Sequence, residues 1–127
     1  MKIIDSKTPI KKTKYQHQKL ASGGWEKLNF FEQMANIGSE VERSINWKNK
    51  NNNEYRQKAI ERAFELLNLT IASQQKQKKL KELTRLHEML VDYFFGQNQY
   101  SSTSKLWQKY FYSFNYAAIK SRTKESF

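Results

Sequence analysis

A chain of 127 residues is the size of a single domain, and its eight Phe, seven Tyr and three Trp can furnish the core that a disordered chain lacks. It has no cysteine, which excludes a disulfide framework, a thiolate zinc site and thiol catalysis together. Lys and Arg number 23 against 12 Asp and Glu, a net charge of +11 that points towards polyanions, nucleic acid before an anionic membrane surface. A bias of the source genome towards Lys, Asn and aromatic residues would produce the same surplus without selection for binding.

The chain has four Gly and one Pro, Pro9, so few breakers interrupt it and helices are favoured over a many-turned β fold. Residues 1–24 carry Lys2, Lys7, Lys11, Lys12, Lys14 and Lys19 against Asp5 alone and end in Ala21-Ser22-Gly23-Gly24; they read as a flexible basic arm. This start has no apolar segment of the secretory type, and no apolar run approaches the roughly 18–20 residues of a membrane helix. A cytoplasmic protein with no membrane contact is therefore expected.

A first helix is predicted from Trp25 to about Trp47, with Leu28, Phe31, Met34, Ala35, Gly38, Val41 and Ile45 inward at three- and four-residue steps. Ser22 or Gly23 would cap it. Gly38 lies on the apolar stripe at a cost of about 1 kcal/mol in helix propensity, which predicts the close approach of another helix there. After a polar loop, with Asn53 as N-cap, a second helix spans Glu54–Ile71 and turns Ala59, Ile60, Ala63, Phe64, Leu66, Leu67 and Ile71 inward. A Lys- and Gln-rich connection at 72–79 leads to a third at Lys78–Phe95, through Leu80, Leu83, Leu86, Leu90, Val91 and Phe94. Gly96 stands where a left-handed C-terminal cap belongs. A fourth, Thr103–Arg122, is capped from Ser101-Ser102-Thr103-Ser104 and carries Leu106, Trp107, Tyr110, Phe111, Phe114, Ala117 and Ala118.

The fold class expected is all-α, an antiparallel up-down four-helix bundle over residues 25–122, with the basic arm before it and a short tail at 123–127. In that topology the arm, the 72–79 connection and the C-terminus share one end. They would gather Lys11, Lys12, Lys14, Lys76, Lys78, Lys79, Lys81, Lys120 and Arg122 into one positive cap, the candidate nucleic-acid-binding residues. The opposite end collects Trp47, Tyr55, Tyr93, Phe94, Phe95, Tyr100, Trp107 and Tyr110, with Lys48, Lys50, Lys105 and Lys109 around them. Such residues can stack on unpaired bases, although aromatics near helix ends more often cover a core while one polar atom stays in water.

No catalytic set emerges. His17 and His87 are too few and too isolated for a metal centre, and no glycine-rich phosphate loop is present. The Glu and Asp of the middle segments have Arg43, Lys58, Arg62 and Arg85 at helical-neighbour positions. The small helical ribonucleases of the HEPN class use an Arg, four to six residues, then a His; Arg85 is too close to His87 and no Arg precedes His17. Neither an enzyme activity nor a cofactor or metal is expected.

Three stretches, Met34-Ala35-Asn36-Ile37-Gly38-Ser39-Glu40-Val41-Glu42-Arg43, Ala59–Leu67 and Tyr93-Phe94-Phe95-Gly96-Gln97-Asn98-Gln99-Tyr100-Ser101, resemble a family of small helical prokaryotic proteins with no established activity. In size, charge and architecture the chain is also similar to the accessory four-helix proteins of diversity-generating retroelements, basic oligomers that work beside a reverse transcriptase and its RNA; that similarity is architectural and carries no motif. The function expected is a non-enzymatic accessory protein binding nucleic acid, RNA before DNA, through the basic end. The other partners weighed are a protein such as a nucleic-acid enzyme and a second copy of the chain, in which case the charge is incidental.

Overall fold

The computed structural model describes residues 23–73 and 79–125, with side chains as far as 121. The described residues form a short 3-10 turn at Trp25–Lys27 and four helices: α1 at Phe30–Asn49, α2 at Asn53–Ser73, α3 at Leu80–Phe95 and α4 at Ser104–Glu125. They contain no strand, and no helix among them is long and apolar enough to cross a membrane. The expected arm before residue 23 and the end of the tail at 126–127 lie outside the described residues.

Local chemistry explains where the helices begin, and it differs in places from expectation. The first helix does not run from Trp25. Leu28 ends the preceding turn and Asn29 starts α1: its side chain accepts from the Glu32 N–H at 2.8 Å, and the Glu32 carboxylate accepts from the Asn29 N–H at 3.0 Å. This reciprocal pair satisfies two donors that a helix start leaves open, so neither Ser22 nor Gly23 is the cap. At α2 the capping side chain is Asn52, which accepts from the Tyr55 N–H at 3.0 Å, rather than Asn53. Thr103 caps α4 through Leu106.

Gly96 ends α3 in an extended conformation, φ −103° and ψ −153°, and not in the left-handed cap expected of it. The positive φ values fall instead on Asn98 and Ser101, both at 56°. Asp92 makes this arrangement possible. Its carboxylate accepts from the Gln99 and Tyr100 N–H groups at 2.8 and 3.0 Å and folds the loop back onto the last turn of α3. Asn98 and Ser102 then close a ring of two hydrogen bonds within the loop.

One core joins the elements. Trp25, Met34, Ile37, Val41, Ile45, Ile60, Ala63, Leu66, Leu67, Leu83, Leu86, Leu90, Trp107 and Phe111 are all buried in it. α1 is central and packs along both α2 and α4, while α3 rests against α2. The close approach expected at Gly38 is present: a Cβ built there would lie 2.6 Å from the Cβ of Phe111. Glycine at this position lets α4 sit directly on the α1 backbone, which offsets its poor helix propensity.

Several stripe positions turn outward instead. Phe31, Val91 and Leu106 are exposed, because they sit at the edges of their apolar arcs where no neighbouring helix covers them. Polar residues take inner positions in exchange, each with partners. Gln33 donates to the carbonyls of Trp25 and Leu28, and Ser44 donates to the carbonyl of Arg56. The Trp25 indole, itself buried, donates to Thr70 at 2.8 Å. Glu40 receives both Arg43 at 2.9 Å and Arg62 at 3.1 Å on one oxygen, tying α1 to α2. Hydrogen bonding is what permits such groups inside.

Candidate nucleic-acid interface

The residues expected to form a positive cap divide into three groups. Lys11, Lys12, Lys14, Lys76 and Lys78 lie outside the described residues, and of Arg122 only the backbone, within α4, is described. Lys79, Lys81 and Lys120 are described and exposed. The Lys79 ammonium stands 4.9 Å from the centre of the Phe30 ring at the start of α1, and Phe30 packs edge-on against Phe114 of α4 at 6.0 Å. Asn29 donates to the Ser121 hydroxyl at 2.9 Å, which joins the same start of α1 to the last turns of α4. Lys79 and the segment that carries Lys120 therefore meet around the first turn of α1. The Lys120 ammonium itself lies over the Tyr116 ring, at 5.5 Å.

Carboxylates stand at this end too. Glu32 is committed to the α1 cap, and Glu82 accepts from the Tyr110 hydroxyl at 3.2 Å. That phenol is held well above its ordinary pKa, first by burial and then by the charge and hydrogen bond of Glu82, so it stays protonated. A groove of about 490 Å³ between Leu28, Phe30, Gln33 and Ser73 opens on the same side.

The aromatic residues expected at the other end separate by depth, and one of them, Tyr110, reaches back to Glu82. Trp107 is buried, Trp47, Tyr93, Phe94 and Tyr110 are half-buried, and Tyr55, Phe95 and Tyr100 are exposed. Cations sit over several of these rings: Lys48 over Tyr93 at 4.7 Å, Lys50 over Trp47 at 5.2 Å and Arg85 over Tyr100 at 5.6 Å. Of the cations expected here, Lys48 and Lys50 are thus held against rings, while Lys105 and Lys109 are exposed on α4. Core covering describes the buried and half-buried members; Tyr55, Phe95 and Tyr100 are exposed but each keeps one neighbour, Trp47, Phe64 and Arg85 in turn.

No protein-family model, curated protein or solved structure matches this chain. Its chemistry must be read from its own side chains. Among the described residues no three His, Asp or Glu converge as a metal site. His87 packs its ring 5.0 Å from that of Phe64, and burial lowers its pKa below the usual 6.5 against the smaller opposing effect of Glu88.

The outer side of α4 was not singled out by sequence reasoning, and it holds the most exposed large apolar side chains of the described residues: Tyr112 at 68 %, Tyr116 at 58 % and Ile119 at 58 %. They sit beyond the stripe of Trp107, Phe111, Phe114 and Ala118 that faces the core. The available signal was the count of aromatics in α4, which exceeds what one apolar stripe can hold, together with charge. From Tyr93 to Lys124 the chain has no Asp or Glu, while Lys105, Lys109, Lys120, Arg122 and Lys124 fall within that span.

Beside this face, a groove of about 620 Å³ runs between α1 and α4. Val41, Ile45, Trp107 and Phe111 form part of its lining, with Asn46, Gln108, Asn115 and Arg43 among the polar groups along it. Its carboxylate, Glu42, accepts from Gln108 at 3.3 Å. The Trp107 indole N–H is buried and meets no acceptor among the described residues.

Proposed function

We propose that this protein is a non-enzymatic accessory factor that binds nucleic acid, RNA in preference to DNA, through phosphate contacts at one end of an up-down four-helix bundle. The observation that carries the reading is the gathering at the start of α1: Lys79 over Phe30, Phe30 against Phe114, and Asn29 bonded to Ser121. The up-down arrangement is supported by the order of paired positions. Ser44 meets Arg56, Glu40 meets Arg62 and Trp25 meets Thr70, while Glu42 meets Gln108 and Asn29 meets Ser121.

Lys76, Lys78, Lys79, Lys81, Lys120 and Arg122 are the proposed phosphate contacts, joined by Lys11, Lys12 and Lys14 of the arm. Neutralising phosphates releases condensed counterions, so affinity falls steeply with salt and depends little on sequence. Titrating labelled single-stranded RNA at low and physiological salt, read by fluorescence anisotropy, tests the reading. Replacing Lys79, Lys81 and Lys120 by Glu should weaken binding to every sequence and flatten the salt slope by about 0.7 for each phosphate that is no longer neutralised. Unchanged affinity in that variant would sink the end-cap site.

A second reading is a protein-interaction subunit or homo-oligomer in a cytoplasmic complex, and the exposed Tyr112, Tyr116 and Ile119 favour it. Light scattering decides that case. A strict monomer over a wide concentration range removes the homo-oligomer.

A further inference from the structure

The outer face of α4 and the groove beside it form a second surface, which runs from Lys105 and meets the cluster at the first turn of α1 only at Lys120. Lys105, Lys109, Tyr112, Tyr116 and Lys120 follow one another at steps of four, three, four and four residues, and every one of them is exposed. Residues at such steps are surface neighbours on a helix. The result is a ladder of two cations, two phenol rings and a third cation. The helix that carries it has no carboxylate before Glu125. Tyr112 also lines the α1–α4 groove, together with Asn46, Gln108 and Asn115, and the groove's carboxylate, Glu42, is engaged by Gln108. Arg43 enters the same groove from α1, with its guanidinium held to Glu40 at 2.9 Å.

These features constrain the occupant. Two copies of the chain meeting through this face would bring two rows of lysines together, which is repulsive. A polyanion meets complementary charge along the whole ladder. Tyrosine rings left in water beside those cations stack on the open face of a base, and only an unpaired base offers that face. Side-chain amides supply donors and acceptors for a base edge in pairs, which hydroxyls alone do not. A groove between two helices, with apolar walls and amides along it, can take a flat polar ring at its margin.

We infer that the α4 face is a binding site for single-stranded RNA, in which one unpaired base stacks on Tyr112 at the lip of the α1–α4 groove and reaches Asn46, Gln108 or Asn115. The next base stacks on the face of Tyr116 that Lys120 leaves open, while Lys105, Lys109 and Arg43 meet phosphates. This inference rests on the RNA-binding reading above but places a different surface in contact with the ligand. It assigns the terminal lysines to phosphate affinity and the tyrosines to recognition of unpaired bases.

The test uses the full chain and a labelled single-stranded RNA at physiological salt, with a duplex RNA of the same length as competitor. Three proteins are compared: wild type, Tyr112→Ala with Tyr116→Ala, and Tyr112→Phe with Tyr116→Phe. Melting curves first establish that each is folded, which is expected because both side chains are exposed. The alanine pair should lose at least roughly tenfold in affinity for the single strand, and the phenylalanine pair, which keeps the rings, should stay within about threefold of wild type. The duplex should compete poorly with the wild-type complex.

Equal affinity of the alanine pair and wild type would overturn the inference. If a Lys79→Glu, Lys81→Glu variant, which leaves the α4 ladder intact, loses affinity in the same assay, the end-cap reading survives that failure alone. A wild type that binds no RNA removes both. A wild-type dimer that the alanine pair converts to monomer, with RNA affinity unchanged, would make this face a contact between copies and overturn the inference.

Discussion

α1 and α4 are of similar length and lie against each other, yet they distribute their side chains in opposite ways. α1 carries polar groups inside: Gln33, Glu40 and Ser44 are buried, and each has a partner from another segment or a neighbouring turn. α4 carries apolar groups outside: Leu106, Tyr112, Tyr116 and Ile119 are exposed. Position in the fold accounts for half of this. α1 has a helix on each side, so a wide arc of its circumference is enclosed and polar residues on that arc must be hydrogen-bonded. α4 lies at the edge of the fold beside α1, and the core needs only its inner stripe. The core thus accounts for the buried polar residues on α1, Gln33 Oε1 alone meeting no donor among the described residues, and for none of the exposed rings on α4. An apolar side chain with no packing role, set among lysines, is where a binding surface is to be sought.

The largest expected effect sharpens the contrast within α4 itself. Trp107→Ala should cost about 3–5 kcal/mol in chemical denaturation, the range for emptying a large buried aromatic site. A loss below about 1 kcal/mol would mean that the inner stripe is no more structural than the outer one. Gly38→Ala comes next. Its new Cβ meets the Cβ of Phe111, an atom fixed close to the α4 backbone, so the two helices must separate. Overpacking of that kind costs about 1–3 kcal/mol, against which alanine recovers about 1 kcal/mol of helix propensity. A net loss near 1 kcal/mol and a melting temperature lower by several degrees are expected. Phe111→Ala should not fully rescue the variant, since it removes the Cγ and Cδ1 contacts at 2.8 Å but leaves the Cβ at 2.6 Å.

A smaller effect depends on pH. His87 has its pKa lowered in the fold by burial, so the unfolded chain takes up the proton more readily. Its contribution is complete above the unfolded value of 6.5 and is lost as pH falls through it. Melting temperature should therefore decline between about pH 7 and about pH 5.5, before most carboxylates titrate, and His87→Gln should flatten that decline. A variant that keeps the full decline would assign it to other groups. The smallest effect is the most informative for the comparison. Tyr112→Ser with Tyr116→Ser should change stability by no more than about 0.5 kcal/mol, as substitutions at exposed positions do. A larger loss would show that the outer rings belong to the fold.

Much of the fold was legible in the residues. Steps of three and four located all four helices, and Gly38 on an apolar stripe foretold the close contact that Phe111 makes. The starts of the helices were less legible, because Asn29 and Glu32 look ordinary until they are paired, and Asn52 and Asn53 are interchangeable as text. Gly96 misled because Asp92 holds the following loop through its carboxylate, a contact that no local pattern announces. The burial of Glu40 was hidden for a similar reason: Arg43 is a partner within its own helix, but Arg62, the second, comes from another. As for the candidate site, lysines could be counted in the sequence, but the α1–α4 groove is made by the crossing of two helices. That Trp107 and Phe111 face inward was legible, but that Tyr112 borders a groove and that Tyr112 and Tyr116 are left exposed was not.

The most direct test of RNA binding is the titration of single-stranded RNA with the wild-type protein across a range of salt. Binding should persist near physiological salt, with a logarithmic slope equivalent to several displaced counterions. Binding confined to low salt would contradict the RNA-binding role and leave the net charge of +11 a general property of the surface.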